Sequence, residues 1–372
     1  MENRVNISPS VLRWAIEESG LNEQTLSKKY PRLSSWLSGD AKPTYKQLNT
    51  LSATLNIPAG YLFLVEPPQR QEIPKEFRTI NNINARISKD LKDTLYEMEF
   101  KKNWMSDFRK EHGWSKLEFV GLFHKKKTPP AHEVIEAFFK HTQIPKNWYS
   151  SSANVSDAYA YLRNKFEDVG ILIMQNGVVG QNTRKPLNVS EFRAFVLADE
   201  YAPLIFINRK DSCTGRIFSL VHEFVHLLFG SGNIATGHDL NDERLINKYT
   251  ADILMPDEYL NRFAKWGFDQ IQLSSNEIKV SPLALAIKLN STGVIDDDLL
   301  ESVRSHTNEN VEKKGMGGGN YYYTKASRLG NTFPSAVISQ VESGNIRYTD
   351  AYRLLGIRGD KIYKEYRDRM MR

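Results

Sequence analysis

Two histidines and a glutamate are spaced so that they could bind a metal ion and use it. His222, Glu223 and His226 form the pattern HExxH within TGRIFSLVHEFVHLL, residues 214–228. On a helix, residues four apart lie on one face with Cβ atoms about 5–6 Å apart, so both imidazoles can reach one zinc ion. Glu223 would then be placed to accept a proton from a water molecule at that ion. The spacing therefore indicates hydrolytic zinc chemistry.

Apolar residues surround this motif on almost every side, which is typical of a helix buried in a protein core. They are Ile217, Leu220, Val221, Phe224, Val225, Leu227 and Leu228. A buried helix must satisfy the ring nitrogens of its histidines, and a metal ion would do so.

A hydrolytic zinc site needs three protein ligands and an open position for water, so a third ligand must lie outside HExxH. The metzincin peptidases are excluded, because this chain has Phe229 and Gly232 where their extended pattern requires glycine and histidine. Glu243 is the best candidate, since ERLINKYTADILMP predicts a helix that carries it. His238 and Asp239 are rivals that spacing does not exclude.

Three more residues are candidates to support the ligands or the reaction. Asn247 shares a helical face with Glu243 and could orient a histidine. Tyr249 and Tyr201 could donate a hydrogen bond to the reacting carbonyl, although a packed core aromatic is the more common role of a tyrosine.

The single cysteine, Cys213, allows two other interpretations. A Cys/His hydrolase would use it as the nucleophile, but the surrounding sequence has no third group for a triad. A structural zinc site usually has four protein ligands that include cysteine, and one cysteine is too few. Both interpretations explain HExxH less well than a hydrolytic zinc site does.

The composition is that of a soluble globular protein. The 372 residues are 40 % hydrophobic and 25 % charged, enough for about two to three domains. No apolar stretch is long enough for a transmembrane helix, and the first residues lack the segments of a signal peptide. Since one cysteine permits no internal disulfide, we expect a cytoplasmic protein without a membrane partner.

Residues 8–64 predict a bundle of short helices, in which Asn22 caps the second helix and Gly39 ends the third. This stretch resembles a helix-turn-helix domain of the phage-repressor (XRE) type. The resemblance rests on Trp36, Gly39, Pro43, Thr44, Gln47, Leu48, Leu51, Leu55 and IPAGYLF at residues 57–63. It implies that the third helix enters the major groove of double-stranded DNA. The candidate DNA-binding residues are Lys28, Lys29, Arg32, Ser34, Ser35 and Lys42. The alternative is a bundle that kept the fold and binds only protein.

The pattern then changes from linker to helix to strand. Prolines mark a linker, and apolar residues at helical spacing from Ile87 to Phe108 predict a long connector helix. Three β-rich runs follow at residues 171–174, 191–197 and 203–208. A small sheet laid against the HExxH helix makes this part an α+β unit.

This order of elements, with HExxH and a later glutamate on a helix ending in LMP, resembles the ImmA/IrrE family of metallopeptidases. The resemblance implies that His222, His226 and Glu243 bind Zn²⁺ in a gluzincin-like site. Glu223 would be the catalytic base. It also implies a protein substrate, either a helix-turn-helix repressor or an antitoxin-like protein.

The C-terminal residues are basic and rich in tyrosine. From Lys313 to Arg372 there are twelve Lys or Arg against five Asp or Glu, whereas the whole chain carries only +6. The run GMGGGN, residues 315–320, predicts a hinge. The apolar residues beyond it suffice for a small helical module, which we expect to dock a partner rather than to bind nucleic acid as an arm.

The sequence as a whole predicts an α+β protein with an all-α N-terminal bundle, a minimal zincin-like peptidase domain and a small basic helical C-terminal domain. The predicted segments are 1–66 (helix-turn-helix), 67–153 (linker and helical connector), 154–265 (zinc metallopeptidase), 266–312 (helix-turn-helix-like extension) and 313–372 (basic, tyrosine-rich module). The leading hypothesis is a zinc metalloendopeptidase that cleaves a repressor or antitoxin-like protein. The alternative is a DNA-binding transcriptional regulator or antitoxin whose peptidase-like domain acts as a sensor or a protein-binding platform.

Overall fold

The computed structural model describes residues 4–19, 21–55, 57, 59–68, 88–126, 128–230, 240–311, 328–357 and 359–370. These residues divide into two compact units, one up to Asp93 and the other from Thr94 onward. None of the helices in these ranges combines the length and the apolar character needed to cross a lipid bilayer.

The first unit is the predicted all-α bundle. Its helices are α1 (Pro9–Ser19), α2 (Glu23–Lys29), α3 (Leu33–Ser38) and α4 (Tyr45–Leu55), followed by a 3₁₀ turn (Ala59–Phe63). Local capping determines where they start and stop. Asn22 accepts a hydrogen bond from the N–H of Gln24 at 2.8 Å, and Gly39 ends α3 in a left-handed conformation. Thr44 and Gln47 bond to each other's N–H groups, which is a capping box at the start of α4.

The second unit is built around a three-stranded sheet with the order β1-β5-β4. Strand β1 (Leu172–Asn176) runs parallel to β5 (Leu204–Asn208), and β4 (Ala194–Leu197) runs antiparallel to β5. These strands confirm the three predicted runs. A hairpin of β2 (Val178–Val179) and β3 (Asn182–Pro186) was not predicted, because β3 is polar and mostly exposed and so has no apolar alternation.

Helices cover both faces of this sheet. Helices α5 (Lys89–Glu111) and α6 (Ala131–Thr142) form the connector, and α7 (Val155–Asp168), α8 (Cys213–Phe229) and α9 (Leu240–Leu254) belong to the peptidase-like part. On one face, Ile173 and Ile205 belong to the core that includes α7, α8 and α9. On the other face, Met174 and Phe206 line a cleft together with Met98 of α5. Burial on both faces explains why β1 and β5 are apolar almost throughout.

The helices after α9 belong to the same compact unit. They are α10 (Asp257–Leu260), α11 (Phe268–Glu277), α12 (Pro282–Ser291), α13 (Asp297–Val311), α14 (Thr332–Glu342), α15 (Tyr348–Leu355) and α16 (Asp360–Met370). Lys288 of α12 forms an ion pair with Asp252 of α9, and both side chains are largely buried. The ion pair ties the extension to the helix that carries Glu243.

The C-terminal helices pack on the connector and on α7. Phe333 meets the ring of Trp104 edge-on at 5.5 Å, and the guanidinium of Arg353 lies 4.7 Å from the ring centre of Phe100. Tyr363 and Tyr366 are buried, so these two tyrosines serve packing rather than base stacking. The predicted GMGGGN hinge and Tyr321 to Tyr323 lie outside the described residues.

Gly330 is the tightest point of this docking. Its φ is +73°, and a Cβ there would lie 1.8 Å from Oε1 of Glu167. Oε2 of the same carboxylate accepts a hydrogen bond from the N–H of Asn331 at 3.0 Å. The backbone of Gly330 and Asn331 therefore contacts the buried carboxylate of Glu167 directly.

We expect Gly330→Ala to lower the thermal midpoint of the second unit and to expose its C-terminal helices to limited proteolysis. Gly344→Ala is the matched control, because Gly344 has the same φ of +73° but no atom within 4 Å of the added Cβ. The control should lose only about 1–2 kcal/mol for the left-handed conformation. Equal losses in the two variants would show that the contact with Glu167 does not matter.

Candidate metal centre

Helix α8 is held by a connector loop that hydrogen-bonds to its last turn. The N–H of Gly121 donates to Leu227 O at 2.8 Å, and the N–H of Phe123 donates to Leu228 O at 2.7 Å. Gly230 ends the helix with φ +67°, and a Cβ there would come within 3.0 Å of Gly121 Cα. The sequence did not reveal this support, because backbone atoms make the bonds.

The three predicted ligands converge at one point. Nε2 of His222 and Nε2 of His226 are 3.1 Å apart. In Glu243, Oε2 lies 3.5 Å from the first of these nitrogens and Oε1 lies 3.3 Å from the second. Ligand atoms about 2.0–2.1 Å from a tetrahedral zinc ion would be roughly 3.4 Å from one another. The donor set and its spacing therefore fit zinc.

Glu243 lies in the first turn of α9, which packs against α8. Its side chain is 47 % exposed, so this side of the centre faces solvent and leaves room for a water molecule or a substrate. The rival residues His238 and Asp239 lie outside the described residues.

The surroundings shift the pKa values of the two glutamates in opposite directions. Hydrogen bonds to His222 and His226 hold the pKa of Glu243 far below its usual range, so it stays ionised, as a metal ligand must. Burial raises the pKa of Glu223, while the two histidines oppose this shift. A carboxylate with a raised pKa suits a general base.

His222 is surrounded by charged, polar and aromatic groups. Burial lowers its pKa, but hydrogen bonding to Glu243, the charges of both glutamates and hydrogen bonding to Asn247 outweigh burial and raise it. Its Nδ1 is buried and has no hydrogen-bond partner among the described residues. The ring of Phe218 stacks on the imidazole with the ring centres 6.2 Å apart.

The other predicted support residues have different placements. Asn247 is exposed, one turn after Glu243, on the side of α9 that faces His222. The Tyr249 hydroxyl donates to Pro129 O at 2.6 Å, and its ring stacks on Phe229, which is a packing role.

Tyr201 and Cys213 each interact with basic residues. The ring of Tyr201 lies 5.3 Å from the ammonium of Lys110, in the turn before β5. Cys213 is the first residue of α8, and its sulfur lies 2.7 Å from Nη2 of Arg216. Neither placement includes a histidine, so the structure provides no support for a Cys/His pair at Cys213.

The candidate DNA-binding residues of the first unit lie on α2, directly before α3, on α3 and in the turn after it. Five of them are exposed, and only Ser35 is half-buried. The exposed residues are Lys28, Lys29, Arg32, Ser34 and Lys42.

Two family models match the chain. Residues 166–290 match the family described as the IrrE N-terminal-like domain, Peptidase M78, and residues 329–369 match a domain of unknown function, DUF8813. The first match supports an IrrE-like peptidase domain with a metallopeptidase-like function. Neither match covers the N-terminal bundle, so its helix-turn-helix character stays a prediction. No curated protein and no solved structure matches the chain.

Tyr249→Phe tests whether this tyrosine serves packing or chemistry. We expect a loss of about 1–3 kcal/mol in the free energy of unfolding, because the carbonyl of Pro129 loses its buried donor. Zinc affinity should stay within about twofold of the wild type. Urea unfolding and a competition titration with a zinc chelator measure the two quantities. A large loss of zinc affinity with unchanged stability would contradict the packing role.

Proposed function

We propose that this protein is a zinc-dependent endopeptidase. The convergence of His222, His226 and Glu243 at 3.1–3.5 Å supports this function most directly. Two neutral imidazoles and one carboxylate leave a bound Zn²⁺ ion with net positive charge and an open position, as hydrolysis requires. The match of residues 166–290 to an IrrE-like peptidase family supports the same function.

When bound, zinc would acidify a water molecule and polarise the scissile carbonyl. Glu223 accepts the proton of the attacking water. Its burial keeps other water away and raises its pKa, so the protonated carboxyl can then donate to the leaving amide nitrogen. Glu243 stays ionised throughout and, with the two imidazoles, would hold the ion.

Strand β4 offers a binding site for an extended peptide substrate. It is an edge strand of the β1-β5-β4 sheet, and it packs beside α8. A substrate backbone can add to such an edge as a further strand. Recognition through the backbone suits a protein substrate, and the ImmA/IrrE resemblance implies a helix-turn-helix repressor or an antitoxin-like protein.

Metal analysis and one variant that removes the charge of Glu223 but keeps its size test this function. We expect the purified protein to bind one zinc ion per chain, and His222→Ala to lose it. Glu223→Gln should keep the ion, because Glu223 is not a ligand, but should lose proteolysis of a co-expressed repressor by at least about a hundredfold. Full proteolysis by Glu223→Gln, or wild-type protein without stoichiometric metal, would refute the proposal.

A second function, DNA binding by the first unit, is supported by the exposure of its basic residues. Lys28 and Lys29 occupy the last turn of α2, and Arg32 lies directly before α3. Such a surface can contact DNA phosphates. DNA binding and proteolysis can coexist in one regulator, with the peptidase-like domain as the sensor.

The variant Lys28→Gln/Lys29→Gln/Arg32→Gln tests this second function. If each residue contacts one phosphate, the slope of log K against log salt should fall in magnitude by about 3. A gel shift at several salt concentrations measures it, with Glu223→Gln as the control that should bind like the wild type. An unchanged slope would assign the bundle to protein binding instead.

A further inference from the structure

Three arginines lie around Tyr159 at the N-terminal end of α8. The Tyr159 hydroxyl donates to Gln175 of β1, which pairs with Ile207 of β5. The N–H of Arg209 continues this pairing by donating to Asn176 O, so the side chain of Arg209 lies on the same face of the sheet as that of Ile207. Arg216 belongs to the first turns of α8, Arg209 directly follows β5, and Arg163 is on α7. The guanidinium of Arg216 lies over the ring of Tyr159, 4.9 Å from its centre. Arg209 is exposed and Arg216 is partly exposed, so a ligand in solution can reach both.

Two of these arginines have N–H donors that form no hydrogen bond with the described residues. Nη2 of Arg163 donates to Ile173 O at 3.0 Å, and its Nε is 3.9 Å from the carboxylate of Glu167. The Nε atoms of Arg163 and Arg216 are buried and have no hydrogen-bond partner among the described residues. Buried unpaired donors of this kind are costly unless a ligand or water satisfies them.

Like charges dominate the surroundings of Arg209. Burial lowers the pKa of Arg209, and the positive charges of Arg216 and Arg163 lower it further, while Tyr159 and Cys213 act in the opposite direction. Neither Arg209 nor Arg216 forms an ion pair with a carboxylate of the described residues.

Two acidic residues of this region are engaged elsewhere. Asp211 pairs with Arg193 at 3.2 Å and accepts a hydrogen bond from the N–H of Ser212. Glu167 accepts a hydrogen bond from the N–H of Asn331, and its Oε1 lies 3.9 Å from Nε of Arg163. Neighbouring guanidinium groups repel one another, and an anion between them would remove this cost.

We propose that Arg209 and Arg216 bind an oxyanion, either a carboxylate or a phosphate group. The buried Arg163 adds positive charge to this site without contacting the anion. The guanidinium fork matches both anions in geometry. Arg216 precedes Glu223 by two helical turns, so both lie on one side of α8, about 10 Å apart along its axis. An extended peptide spans this distance with about three residues. An acidic side chain of the substrate is therefore one source of the anion, which rests on the proposed peptidase function. Free phosphate is the other source.

Calorimetric titration of the zinc-loaded full chain with inorganic phosphate tests the site without any proteolysis. We expect saturable binding that Arg209→Gln and Arg216→Gln each weaken by about tenfold or more, since each removes a charge-assisted hydrogen bond. Arg216→Lys keeps the charge and should bind more tightly than Arg216→Gln. Arg304→Gln is the matched control, because it removes an equal charge from an exposed ion pair with Glu301 and should not change binding.

Cleavage of a proteome-derived peptide library identifies the source of the anion. An acidic substrate residue would appear as an enrichment of Asp or Glu at one fixed distance from the cut, lost in Arg209→Gln and kept in Arg304→Gln. Arginine-dependent phosphate binding without this enrichment would assign the site to free phosphate. The absence of both effects would overturn the proposal. If the wild type cleaves nothing, the peptidase function fails, and the phosphate titration alone decides the anion site.

Discussion

The metal centre depends on the burial of α8. Phe224 lies at the middle of this contact, with its ring centre 5.2–5.4 Å from those of Phe119, Phe138 and Phe166. Full burial of one such side chain stabilises the fold by about 1.5–3 kcal/mol. Apolar contacts surround α8 on almost every side, and the two imidazoles project where α9 packs against it, toward Glu243. The orientation of the ligands is thus a consequence of core packing.

The third ligand depends on a second interaction. Glu243 and Asp252 lie on opposite sides of α9, because nine residues correspond to two and a half turns. Lys288 binds Asp252 and so fixes the side of α9 that faces away from the centre. A buried ion pair of this kind adds little net stability, but separating its partners would leave a buried charge unpaired, so it holds α12 against α9. Glu243 is half exposed on the solvent side of the metal centre, where a water molecule or a substrate must enter.

The sheet links the metal centre to the C-terminal module. The apolar residues of β1 and β5 require cover on both faces, and α5 with the C-terminal helices provides it on the face away from α8. Tyr363 and Tyr366 therefore pack inside, and the positive charge of the module is left to exposed residues such as Arg347 and Lys361. The module is part of the fold of the second unit, which the charge pattern of its sequence did not indicate.

Periodicity and spacing were enough to predict the helix of His222 and His226 and the three strands, since these depend on residue type and local geometry, whereas spacing left His238 and Asp239 as alternatives to Glu243. The amino-acid sequence by itself determined which residues can bind a metal ion and which segments must be buried. Only the tertiary structure decided that Tyr249 bonds to Pro129, that a connector loop closes α8, and that Arg163, Arg209 and Arg216 come together. The physical reason is that these contacts join residues far apart in the chain through backbone atoms and single side chains, which leave no periodic pattern in the sequence.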